Sequence, residues 1–215
     1  MRVEYAEALA RVRANVDAAA ADSAHARTII GIAGAPGAGK TTLAQRLVAD
    51  LVEADILAVH VPMDGYHLAN ATLDRLGLHD RKGAVDTFDG WSYVALMRRI
   101  ANDRDDPIYA PDFDRTVDEP VAGSILVAPE TQVVVSEGNY LLLDEAPWGR
   151  LAEIFTMTWF CEIPEVVREE RLVRRHMTFG RDERAAREWV RQVDGANARL
   201  VQTRRRPADL ALFTA

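Results

Sequence analysis

An apolar run, Thr28-Ile29-Ile30-Gly31-Ile32-Ala33, leads without a break into Gly34-Ala35-Pro36-Gly37-Ala38-Gly39-Lys40-Thr41-Thr42, and no other stretch constrains the chain as much. It predicts a strand, a glycine-rich turn and a helix start. Gly34, Gly39, Lys40 and Thr41 satisfy the spacing G-x-x-x-x-G-K-[ST], and Leu43, Leu47 and Leu51 follow at the interval of one helical face. Glycines without Cβ let the loop from Gly34 to Thr42 turn its N–H groups inward around phosphate oxygens. The helix start adds positive partial charge, and Lys40 brings a point charge to the outer phosphates. The Thr41 hydroxyl is the expected Mg²⁺ ligand. The alternative is a flexible Gly/Ala turn that happens to hold a lysine, and a chance match in a chain of this length arises about once in a hundred.

Arginine usage sharpens the point. Of the 26 lysines and arginines only Lys40 and Lys82 are lysines, so arginine fills the generic basic positions and the two ammonium groups are expected where a compact charge must meet phosphate. At 215 residues and 48% hydrophobic content the chain fits one globular domain, taken here as residues 1–215. A net charge of −7 argues against nucleic acid or an anionic membrane as partner. The single cysteine, Cys161, stands in the apolar run from Met157, which excludes a disulfide framework and predicts a buried thiol. No stretch approaches membrane-spanning length, and a soluble, cytoplasmic protein is expected.

Residues 3 to 20 read as an amphipathic helix, part of an N-terminal flanking segment over 1–24, with Val3, Leu9, Val12 and Val16 along one side. The helix from Lys40 to about Ala54 is followed by the continuous apolar run Ile56 to Pro62, which predicts a buried parallel strand ending at Asp64. Ligands in open α/β sheets sit beyond the carboxyl ends of strands, so topology brings Asp64 beside the phosphate loop. The polar stretch 65–90 and the segment 107–128 read as two insertions on the acceptor side, the first a long loop and the second a small β-ribbon. A helical pattern begins at Trp91. Val133 to Tyr140 is a second buried strand, delivering Glu137; Met157 to Ile163 is a third; Asp209 to Phe213 adds a last one. Pro164 opens a basic helical region, 168–191, interrupted at Thr178-Phe179-Gly180. Arg168, Arg184 and Arg187 read as solvated partners of nearby acids. Arg171, Arg174 and Arg175 read as a mobile lid that converges on polyphosphate.

With those residues in view, the sequence resembles the P-loop kinase family of uridine kinase, phosphoribulokinase and bacterial pantothenate kinase, nearest to its nucleoside or fructose kinase-like branch. The resemblance runs from Thr28 to the C-terminus. It is carried by Gly34 to Thr42, Met63-Asp64-Gly65-Tyr66-His67-Leu68, Arg81-Lys82-Gly83, Asp86-Thr87-Phe88-Asp89, Pro111-Asp112-Phe113-Asp114-Arg115, Glu137-Gly138-Asn139-Tyr140 and Arg171-Leu172-Val173-Arg174-Arg175. It implies a three-layer α/β/α fold with a mostly parallel sheet and a helical, arginine-rich lid. It also implies an ATP- and Mg²⁺-dependent kinase acting on a hydroxyl of a small metabolite, a nucleoside, a sugar or a pantothenate-like compound, with a homodimer as one admissible assembly.

Lys40, Asp64, Arg171 and Arg175 are then the expected catalytic residues, Asp64 as the base, and Arg174 joins the phosphate loop in holding the nucleotide. The acceptor is expected against Asp64, Tyr66, His67, Arg81, Lys82, Phe113, Arg115, Glu137 and Asn139, and the metal at Thr41 and Glu137. Uridine kinases place a Tyr-Asp-Phe and then a His in the acceptor loop where this chain has Phe113-Asp114-Arg115, so their nucleoside contacts do not carry over. The competing function is a nucleotide-hydrolysing switch or regulatory protein, but the Asn-Lys-x-Asp sequence that reads guanine in common GTPases is absent.

Overall fold

A computed structural model describes residues 1–21 and 27–214. In chain order the elements are α1 (Tyr5–Ala21), β1 (Thr28–Ala33), α2 (Lys40–Val52), β2 (Ala58–Pro62), α3 (Asn70–Leu76), α4 (Gly90–Asn102), β3 (Ile108–Asp114), β4 (Glu119–Val127), β5 (Val133–Gly138), β6 (Met157–Glu162), α5 (Glu165–Thr178), α6 (Glu183–Trp189), α7 (Gly195–Arg204) and β7 (Leu210–Phe213). Residues 22–24 of the expected N-terminal segment lie outside the described residues.

Five strands form one parallel sheet in the order β2-β5-β1-β6-β7, and β3 pairs antiparallel with β4 as a separate ribbon. The central strand β1 is buried at every position because both faces of the sheet are covered. Strand alternation sends Ile30 and Ile32 to one face, where they meet Val12 of α1 and Leu47 of α2. Ile29 and Ala33 point to the other, against Val94 and Met97 of α4 and Trp148. The result is the three-layer α/β/α arrangement that the sequence implies.

Two expectations are corrected. The run Ile56 to Pro62 is as apolar as a central strand, yet β2 is an edge, half-buried over its first three residues, because β5 alone pairs with it. Residues 65–90 are not one long loop: α3 and short 3-10 turns at His79–Arg81 and Val85–Thr87 fold most of it. Helix α7, which no motif announces, carries the chain from the basic region back to the core through Val201. No helix among the described residues is long and apolar enough to cross a membrane.

The ribbon is fixed over the sheet at one tight contact. A Cβ on Gly65, the residue after Asp64, would lie 2.3 Å from the Pro111 carbonyl oxygen, so glycine is what lets β3 cross there. At its far end the ribbon is latched. Lys82 Nζ donates to Asn70 Oδ1 (2.7 Å), to the Asp118 carbonyl (2.6 Å) and to Asp118 Oδ2 (2.8 Å), while Asn70 N–H donates to Glu119 Oε1 (2.9 Å).

Candidate active site

The carboxyl ends of β1, β2 and β5 open into one cleft of about 410 Å³, closed on its other sides by the ribbon and by α5 and the turn after α6. The phosphate loop forms its floor. Gly39 takes φ 84°, the left-handed conformation that allows the loop to turn into α2 without a Cβ penalty. Gly37, at φ 79°, lies so close to α5 that a Cβ would sit 2.8 Å from Leu172 Cγ. Loop and basic helix are therefore docked against each other by absence of side-chain bulk.

Lys40 is buried at 8% exposure, and its ammonium is held by Asn139 Oδ1 (2.7 Å) and the Ala35 carbonyl (3.1 Å). Burial lowers its pKa, and the nearby Glu137 carboxylate opposes that shift. The next residue, Thr41, donates its hydroxyl to Glu137 Oε1 at 2.8 Å. Burial, reinforced by the negative charge of Asp64, pushes the Glu137 carboxyl up to about 7, against the pull of Lys40 and Thr41. His60 Nε2 lies 3.8 Å from the same carboxylate oxygen, and burial lowers its pKa. Beneath this group Tyr93 and Ser136 share a hydrogen bond of 2.7 Å, and Ser136 donates to the Val61 carbonyl, tying the ends of β2 and β5 together.

Asp64 enters the cleft from a 3-10 turn, Met63–Tyr66, and Arg115 Nη2 of the ribbon reaches its Oδ2 at 3.6 Å. His67 stacks on Phe88 with ring centroids 4.0 Å apart and meets Phe113 at 5.0 Å. Burial drives its pKa down to about 4, so the ring is neutral at pH 7. Lys40, Thr41, Asp64, His67, Lys82, Phe113, Arg115, Glu137, Asn139 and Arg175 all line this one space, as do Pro36 and Gly37 of the loop.

Of the expected loop residues Gly34, Ala35, Ala38, Gly39 and Thr42 do not, and neither do four expected site residues outside the loop. Arg81, at the end of one 3-10 turn, is exposed and pairs with Asp86 of the next. The Tyr66 ring packs edge-on against Tyr93 at 5.5 Å instead of facing the cleft. Arg171 donates to the Thr214 carbonyl at 2.9 Å, on the Gly39 side of the loop. Arg174 is exposed and turned away. The three lid arginines thus part company: Arg174 leaves the helix about 100° away from Arg175, while Arg171, one turn earlier on the same face as Arg175, is drawn off to the Thr214 carbonyl, so that only Arg175 lines the cleft. Lys82 does line the cleft, but all three of its donors are engaged by Asn70 and Asp118, which makes it a clamp for the ribbon and no free ligand for phosphate. Arg168, expected on the solvent side, is buried, with Glu169 at 3.4 Å.

Several residues in or behind the cleft wall come unannounced. His60, which approaches Glu137 from behind the wall, was visible in principle, as the one polar side chain in an apolar strand. His176 directly follows the arginine motif on α5, whereas Asp194 and Asn197 come from segments that carry no motif, and tertiary folding alone assembles the three. The oxygen set formed by the Thr41 hydroxyl and the Glu137 carboxylate suits a hard divalent cation that takes its remaining ligands from phosphate and water.

Residues 29–212 match the model of the phosphoribulokinase/uridine kinase family. A Schizosaccharomyces pombe chain proposed to be a uridine kinase is 34% identical over 161 residues, which cover 72% of this chain and 68% of that one. A Silicibacter sp. TM1040 protein of known crystal structure, proposed to be a fructose transport system kinase, superposes with a TM-score of 0.81 at 39% identity over 86% of this chain and 89% of its own. Saccharomyces cerevisiae YFH7 aligns over 98% of both chains with a TM-score of 0.82 at 18% identity, a likeness of fold.

Proposed function

The chain belongs to the phosphoribulokinase/uridine kinase family of ATP-using phosphotransferases with a hydroxyl acceptor, and on that premise we propose that it transfers the γ-phosphoryl group of ATP to a small metabolite with Asp64 as general base. The acceptor is of nucleoside, sugar or pantothenate-like size. The observation that carries this reading is the convergence, in one cleft, of the Lys40–Asn139 and Thr41–Glu137 contacts with the Asp64–Arg115 pair.

Phosphoryl transfer passes through a loose transition state whose charge lies on the peripheral oxygens, so the protein's task is to position and to stabilise charge. The loop N–H groups and Lys40 meet the β- and γ-phosphates. Arg175, from the opposite wall, adds a cation where charge develops. Thr41 and Glu137 would hold Mg²⁺, which neutralises phosphate charge when bound. Asp64 accepts the proton of the acceptor hydroxyl, a role commonly worth about 10²–10⁴-fold, and Arg115 fixes the carboxylate that does so.

Acceptor-dependent ADP release tests the assignment. Lys40→Ala should reduce it to background, and Asp64→Asn should lower kcat by at least about 100-fold while ATP still binds. Near wild-type phosphorylation by Lys40→Ala, or ADP release that no acceptor stimulates, would sink it.

A further inference from the structure

Asp194 stands in the cleft wall without a part in the steps just given. It ends a π-helical turn, Val190–Asp194, between α6 and α7, and is buried at 8% exposure. One oxygen, Oδ2, accepts from or pairs with His176 Nε2 at 2.8 Å. Around it the wall is made of His176, Asn197 and the Trp189 indole, with the Arg181 guanidinium over that ring. Asn197 is itself anchored, its amide donating to the Gly83 carbonyl (3.1 Å), which also accepts from the Tyr140 hydroxyl. A carboxylate inserted by an irregular turn into a wall of fixed polar groups is a costly arrangement, and π-turns of this kind concentrate at functional sites.

Charge decides what such a wall can receive. The cations lining the cleft are already engaged: Lys82 is consumed by Asp118, Arg115 faces Asp64, Lys40 sits beside Glu137, and the Arg181 guanidinium lies 4.0 Å over the Trp189 ring. Burial lowers the Arg175 pKa, and the charges of Asp64 and Asp194 oppose that shift. The magnesium–ATP complex brings about two further negative charges and takes up Lys40 and Arg175. A phosphorylated or carboxylated acceptor would then bring a second anion against the Asp194 carboxylate, which repels it. A hydroxyl-rich neutral molecule would donate to the same carboxylate.

Resting on the kinase reading above, we infer that Asp194 is a specificity residue which, held by His176, accepts hydrogen bonds from the hydroxyls of the acceptor, and that the acceptor is an uncharged polyhydroxyl compound. Sugars and nucleosides share that chemistry; sugar phosphates, glycerate and pantothenate do not.

The test is ADP release by the wild-type protein against ribose, fructose and uridine, each paired with its phosphate ester, and against glycerate and pantothenate. Turnover should appear with one of the uncharged compounds and fall at least about 100-fold on its phosphorylated partner, since a site built to pair hydroxyls discriminates strongly against a misplaced charge. For the accepted compound Asp194→Asn should raise KM about tenfold or more, with KM for ATP changed less than about twofold. Asp194→Glu and His176→Gln should fall between, and near-native melting of any one of the three makes the comparison valid. Preference for a phosphate ester, glycerate or pantothenate would overturn this inference while leaving the kinase reading intact. An unchanged acceptor KM in folded Asp194→Asn would also overturn it. Silence of the wild type towards every compound would count against the kinase reading and remove the basis for this one.

Discussion

His67 is a cleft residue whose chemistry its surroundings alter strongly. The ring is packed between Phe88 and Phe113, and burial holds its pKa at about 4 against the ordinary value near 6.5. The folded protein therefore keeps the ring neutral where the unfolded chain would protonate it. Stability conferred by this residue is fully present above pH 6.5 and declines as pH falls from 6.5 towards 4, by at most about 1.4 kcal/mol per pH unit, after which both states are protonated. Glu137 titrates with the opposite sign, so the contribution of His67 has to be isolated by difference. Chemical denaturation of wild type and His67→Phe between pH 4 and 8 should give a stability difference that is constant above pH 6.5 and moves against the wild type below it. A difference flat across the whole range would show that the ring is solvated in the folded state.

Among the elements, the β3–β4 ribbon depends most on a few contacts outside itself. It carries Phe113 and Arg115 into the cleft, and its turn is held by Lys82 and Asn70. Lys82→Met should free that turn. Loss of the three hydrogen bonds is expected to cost about 1–2 kcal/mol, lowering Tm by about 2–6 °C. Acceptor KM should rise as Arg115 and Phe113 lose their register, while KM for ATP stays within about twofold of wild type. A rise in KM for ATP alone would restore Lys82 to the phosphate-binding role that its rarity suggests.

The same element shows where sequence reasoning stops. The phosphate loop was legible from Gly34 to Thr42 because strand, turn and helix start are local, and each residue there answers to its neighbours. Asp64 and Glu137 were legible because topology fixes what lies beyond the carboxyl ends of parallel strands. Lys82 was misjudged since its ammonium meets Asp118, 36 residues away, across a ribbon whose crossing point depends on Gly65 and Pro111. The apolar pattern of β2 could not reveal an edge strand, because a helix-covered edge needs the same residues as a centre. Nor could helical spacing decide which of Arg171, Arg174 and Arg175 faces inward, since that depends on how Leu172 seats against Gly37.

Across the whole molecule, the helical segment from α5 to the π-turn is distinct from the two large clusters that cover the sheet. Leu172, Val173, Ala186 and Val190 make a small core of their own. The segment meets the remainder at a few points: Leu172 on Gly37, Arg171 on Thr214, and α7 packed into the main core through Val201. Its tip, at Phe179 and Gly180, is exposed, with Gly180 at φ 95°. A unit with its own core and few external contacts can open without unfolding the sheet, and a ligand that bridges it to the phosphate loop should suppress that opening. ATP with Mg²⁺ at 100 times its dissociation constant would stabilise the closed form by about 2.7 kcal/mol, slowing amide exchange through the open form about 100-fold. That protection should appear over residues 168 to 194 and over the phosphate loop, with the amides of β1 and β5 unaffected. In Arg175→Ala the loop should still be protected while the helical segment is not, since Arg175 is the one arginine of its triplet that faces the cleft. Protection confined to the phosphate loop in the wild-type protein would mean that α5 and α6 are a fixed wall of the cleft.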